Sequence, residues 1–163
     1  MLKTDLNIAE MLPQLDDSSR VWIYQSEDFL TSQEANMIAR ACDQFIPTWK
    51  AHGKNLQADY RLLFNRFICF FVDEADQDAT GCSIDSSVHF IQQLEKALGK
   101  SLMQRTTAIY IDEDENLQEV DINNLRSKIN SETIVFNNLV TSLGEMKSNW
   151  VIPAGSSWHS RML

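Results

Sequence analysis

The chain has 163 residues, 44% hydrophobic and 23% charged, with five glycines and three prolines. That is enough apolar material for one proper core, and it argues against disorder. Twenty-three acidic residues against fourteen Lys and Arg leave a net charge of −9, a field that repels phosphate backbones and anionic lipid, so nucleic acid is set aside as a partner.

The opening segment "MLKTDLNIAEML" meets charge too early for a secretory leader. No apolar run reaches the roughly 18 to 20 residues of a membrane-spanning helix, so no membrane insertion is expected. Cys42, Cys69 and Cys82 are odd in number and form no C-x-x-C pair, which suits reduced thiols and a cytoplasmic location.

In chain order, "TDLNIAEMLPQLDDSSR" places Leu6, Ala9 and Leu12 at helical spacing ahead of Pro13, predicting a short helix and a polar turn. "RVWIYQ" (20–25) is β-branched and aromatic and reads as a strand. Thr31 or Ser32 then caps a helix over about 33–51, with Ala35, Ile38, Ala41 or Cys42, Phe45 and Trp49 on one stripe and a bend or a split at Pro47.

Beyond Gly53, "FICFFV" (67–72) has the length and character of a buried central strand that surfaces at Asp73 and Glu74. The acidic loop "DEADQDAT" leads to "GCSIDSSVHF" (81–90) and a helix over about 86–98, whose Val88, Ile91, Leu94 and Leu98 form an apolar face before Gly99. "TTAIYID" and "LQEV" make a hairpin across "DEDEN", "INNLRSKI" a short helix, "ETIVFN" a strand and "TSLGEMKSNW" a helix. The tail "WVIPAGSSWHSRML" carries Trp150 and Trp158, which pack it on the body or, on another reading, leave an adhesive surface and a homodimer open. With no repeat and no linker, the expectation is one α+β domain over 1–163: a mixed or antiparallel sheet of about four to six strands covered by helices.

"RVWIYQS" (20–26), W-x-x-HG (49–53), "NRF" (65–67), GCSID-x-SVHFI (81–91), "TIVFNNLV" (133–140) and "SWHSRML" (157–163) resemble, over nearly the whole chain, a family of short bacterial proteins, mostly from Bacteroidetes. Its members often carry the name "ABC transporter ATPase". The resemblance implies that name and brings no mechanism with it.

Such an ATPase needs G-x-x-x-x-G-K-[ST] between a strand and a helix, so that backbone amides can wrap phosphate. Gly99-Lys100-Ser101 supplies the last three residues, but position 94 is Leu and the triplet falls where a helix ends. A helix C-terminus presents carbonyls and repels phosphate. "CFFVDE" (69–74) imitates the magnesium-holding strand, yet any buried strand that surfaces at an acidic loop does so, and nothing resembles the LSGGQ signature.

Chemistry concentrates instead around Cys82, Ser83 and Asp85. Asp85, or Ser83 two residues earlier, is expected to cap the helix, with Cys82 just before the positive end of its dipole, where a thiolate is stabilised. His89 lies on the polar side of the same helix, so a thiol enzyme would have to draw His52 or His159 from elsewhere. A candidate pocket then comprises Cys82, Ser83, Asp85, His52, His159 and Trp49. The plainer reading makes Gly81 a turn residue and Cys82 a small half-buried hydrophobe.

Cys82, Asp85 and His89 are too few and too mixed for a metal site. In "DEDEN", Leu117 stands where a calcium loop needs Gly, and Asn123 where it needs Glu. No metal and no cofactor are implied. The expectation is a non-catalytic cytoplasmic domain that binds a protein or a small molecule, with a Cys82-dependent enzyme as the alternative.

Overall fold

The structure, a computed structural model, describes residues 6–163. The charged opening residues 1–5, on which part of the leader argument rests, lie outside the described residues.

Four α-helices and nine strands follow in the order α1 (Ile8–Met11), β1 (Arg20–Gln25), α2 (Ser32–Phe45), β2 (Lys50–Ala51), β3 (Lys54–Asn55), β4 (Gln57–Leu63), β5 (Phe67–Asp73), α3 (Gly81–Leu98), β6 (Thr107–Ile111), β7 (Leu117–Asp121), β8 (Ile134–Phe136), α4 (Leu143–Asn149) and β9 (Val151–Pro153) among the described residues. Every strand pairing is antiparallel. The strands form a first sheet ordered β1-β5-β4, a second ordered β7-β6-β8-β9, and a β2-β3 ribbon.

The fold is therefore α+β, but its strands are divided between sheets instead of joining one. β5 gives the reason. Its residues Phe67 to Val72 are all 0% exposed, and successive side chains of a strand point to opposite faces, so both faces need an apolar cover. Phe67, Cys69 and Phe71 pack with Ile109, Ile111 and Phe136 of the second sheet and with Met146 and Trp150. Ile68, Phe70 and Val72 pack instead with Ile38 and Cys42 of α2 and with Ile91 and Leu94 of α3. Each large side chain so buried contributes about 1.5–3 kcal/mol. The far face of the second sheet (Ala108, Val120, Val135) is covered by Leu125, Ile129 and Ala154, from the 3₁₀ segment Ile122–Ser127, the loop after it and the tail. Helices, sheet, sheet and tail are the layers.

Thr31 caps α2 in a reciprocal arrangement with Glu34. The helix stops at Phe45, sooner than the apolar stripe suggests, because Pro47 cannot donate to an α-helical ladder; Ile46–Thr48 tighten into a 3₁₀ turn instead. Trp49 thus leaves the helix and is buried beyond it, 5.8 Å from the ring of Trp22. His52 and Gly53 both take positive φ (52° and 77°), the two-residue turn that joins β2 to β3. The predicted hairpin around "DEDEN" is present, with Glu115 at positive φ.

Candidate functional site

The stretch with the densest chemistry, 81–90, starts α3 earlier than expected. Thr80 is the cap: its hydroxyl accepts from the Ser83 amide at 3.2 Å, and the Ser83 hydroxyl accepts from the Thr80 amide at 2.6 Å. Ser83 thus replaces the Glu or Gln of an ordinary capping box. Asp85 is not the cap. It lies inside the first turns with an exposed side chain. The short hydroxyl of Ser83 reaches back to Thr80 and sets the helix origin before Asp85 can act.

Ser83 is spent on structure. Its hydroxyl also donates to the Thr80 carbonyl at 2.8 Å, and its own carbonyl accepts the indole N–H of buried Trp49 at 2.7 Å. Ser83 and Trp49, two candidate pocket residues, do meet, as a strut between α3 and the segment after α2. Cys82 sits exposed in the first turn, with its carbonyl accepting from Ser86 at 3.0 Å. His52 is exposed in its hairpin turn, and His89 is exposed with its ring 3.3 Å from Gln93. Among the described residues, no three His, Cys, Asp or Glu side chains are grouped so as to hold a metal ion.

Gly99 takes φ 69° as the left-handed cap of α3, and Lys100 pairs with Asp28 at 2.6 Å and Glu34 at 2.8 Å. Gly99-Lys100-Ser101 therefore closes a helix, and its lysine is already neutralised. Asp73 and Glu74 accept hydrogen bonds from the Ala75 and Ala79 amides, holding the loop before α3.

His159 belongs to a different place. It is 1% exposed and lines a recess of about 280 Å³ at the margin between the two sheets, together with Ile23 and Gln25 of β1, Thr107 and Ala108 of β6, and Phe136. Neither Cys82 nor His52 lines it. Trp158 stacks on the imidazole at 3.9 Å, and Nδ1 lies 2.6 Å from the Ser157 hydroxyl. That hydroxyl is also 3.2 Å from the Ala154 carbonyl and accepts the His159 amide. A proton on Nδ1 satisfies all three contacts at once, since the ring donates to Ser157 and Ser157 donates to Ala154. Nε2 is then a bare lone pair, buried and without a partner among the described residues. Burial pushes the imidazole down to about 4, so it is neutral at pH 7.

The wall beside it is a chain of amides. Gln25 donates to the Thr107 carbonyl at 2.8 Å and accepts from Asn138 at 2.9 Å, while Asn138 accepts the Trp150 indole N–H at 2.9 Å. This network ties β1 to the second sheet and uses both ends of both amides. Arg105 completes the lining as its charged member, and its guanidinium makes no ion pair or hydrogen bond among the described residues.

Comparison with known proteins gives no match: no family model fits the chain, and neither a curated protein nor a solved structure matches it.

Sequence reasoning reached His159 and missed Gln25, Arg105 and Asn138. A glutamine that follows the run Val21 to Tyr24 in the strand "RVWIYQ" is the one signal available, since a polar residue on a core-facing position needs a buried partner.

Proposed function

We propose that this protein is a cytoplasmic binding domain whose ligand enters the recess between the sheets beside β1. The observation that carries the reading is His159, which lines that recess while its buried Nε2 has no partner among the described residues. Leaving a polar atom in that condition costs about 1–3 kcal/mol, and a ligand that supplies its hydrogen bond recovers that cost. The amide network supports the same reading, because it holds the wall rigid while keeping its own polar groups satisfied. The half-buried walls are apolar enough to hold a small organic body.

Cys42 and Cys69 are buried and free, and Cys82 is free and exposed, a pattern suited to a reducing compartment. Among the described residues no helix is long and apolar enough to cross a membrane.

Screening the isotopically labelled protein against a fragment library of small organic molecules by NMR tests the reading. Ligands are expected to move the His159 ring signals together with the Ile23 and Thr107 amides. A library whose binders leave those signals in place and shift the residues around Cys82 instead would overturn it.

A further inference from the structure

We infer that the recess receives the C-terminal three residues of another polypeptide, added as a short strand to the free edge of β1 with the terminal carboxylate on Arg105. This rests on the reading of the recess as a binding site and names its occupant.

The main chain carries the first part. In an antiparallel pair, alternate residues turn their N–H and C=O groups to opposite sides. Ser26 donates to Arg66 in the β5 direction, whereas the Val21 N–H donates to Thr141 and the Gln25 carbonyl accepts from Gln104, both away from β5. Ile23 lies between Val21 and Gln25 in the same phase. Its N–H and C=O therefore face away from β5, and neither has a partner among the described residues. The edge is closed at both ends by the chain itself and open in the middle. At about 3.3 Å per residue, Val21 to Gln25 spans about 13 Å, room for about three residues of extended chain.

The side-chain surfaces carry the second part. A second hollow, of about 470 Å³, lies on the opposite face of β1 and is lined by Trp22, Tyr24, Ile84, Val88 and Met103. The two hollows share Ile23, Gln25, Arg105 and Leu139, so they are joined across the strand edge. An added strand sends alternate side chains to opposite faces, and here each face offers a hollow. Leu139, 66% exposed, stands at the junction as an apolar contact for the incoming chain. The His159 hollow receives a side chain bearing an N–H or O–H donor for Nε2.

Charge chooses the terminus. The chain has 23 acidic residues, yet among the described residues neither hollow is lined by a carboxylate, and both are lined by Arg105. Arg105 is next to Gln104, which closes one end of the edge. An internal segment would have to climb over both closed ends. A chain terminus stops at one of them, with its carboxylate beside the guanidinium.

The test uses the full-length labelled protein and two pools of N-acetylated pentapeptides randomised at their last three positions, one with free C-terminal acids and one with C-terminal amides. The acid pool is expected to shift the Ile23 amide, the Arg105 side chain and the His159 ring, with the amide pool at least about tenfold weaker. Arg105→Ala, at an exposed position, should weaken the acid pool about tenfold and leave the thermal midpoint within a degree or two. Equal response to both pools, or none at Ile23, overturns the inference. So does a concentration-dependent dimer that protects the Ile23 amide, since a second copy would then hold the edge. Fragments that bind at His159 while peptides do not would sink this inference and leave the binding-domain reading standing.

Discussion

The start of α3 and the margin between the sheets both gather hydroxyls and a histidine in a short span, but differ in what remains unspent. At Thr80 and Ser83 each side-chain oxygen is engaged with the helix's own backbone, and the Ser83 carbonyl takes the Trp49 indole. At the margin, Gln25 and Asn138 are satisfied, while His159 Nε2 and the Ile23 main chain have no partner among the described residues. Proximity of reactive residue types in sequence is thus a poor guide to a site. Hydrogen-bonding capacity left open in a partly enclosed space is a better one.

The sharpest way to break the contrast is at Asn138. Asn138→Ala strands the Trp150 indole N–H and one end of Gln25 inside the protein, and is expected to cost about 2–4 kcal/mol in chemical unfolding. A loss below about 1 kcal/mol would mean that the wall is not held by this network.

The next effect is in pH. The folded imidazole of His159 is held down to about 4, below the 6.5 of the free group. Above pH 6.5 both folded and unfolded states are neutral there, and the residue contributes no slope. Between 6.5 and 4 the unfolded chain takes up a proton that the folded chain refuses, so stability falls as pH drops, by at most about 3 kcal/mol. Arg105 lines the same recess and Arg161 lies on the same 3₁₀ segment, and neither cation would rescue an imidazolium. His159→Gln should flatten that part of the stability–pH curve; an unchanged curve would locate the slope elsewhere.

Smaller effects are expected at α3. Thr80→Ala removes the cap and should cost about 1 kcal/mol, whereas Asp85→Ala should change stability by under about 0.5 kcal/mol. The reverse ranking would restore Asp85 as the helix origin. Smallest of all, Cys82→Ser should leave stability unchanged. Native protein should label rapidly at one thiol and at three after unfolding, because burial pushes Cys42 up to about 12 and raises Cys69 as well. A Cys82 that reacts as an ordinary thiol near pH 8.5 counts against the thiol-enzyme alternative.

Much of the fold was legible because local rules and tertiary packing agree in it. The run "FICFFV" had to be a central strand, Pro47 had to disturb its helix, and Gly99 had to cap one. Legibility failed where a choice depended on a partner far away. Thr80, Ser83 and Asp85 all qualify as caps by type, and Trp49 reaching the Ser83 carbonyl from 34 positions away is invisible in the local string. The site suffered more, since Gln25 reaches Thr107 and Asn138 across separations of 82 and 113 residues.

The sequence by itself determined an acidic α+β domain, the places of β1, β5, α3, β6, β7 and β8, and the burial of β5, because periodicity and apolar content act over a few residues at a time. Only the tertiary structure decided that the strands divide into two sheets, that β1 keeps an open edge, and that His159 meets Gln25 and Arg105 beside it. Those outcomes depend on which surfaces close against one another, and a hydrogen bond left unmade can be seen only after all the others have been counted.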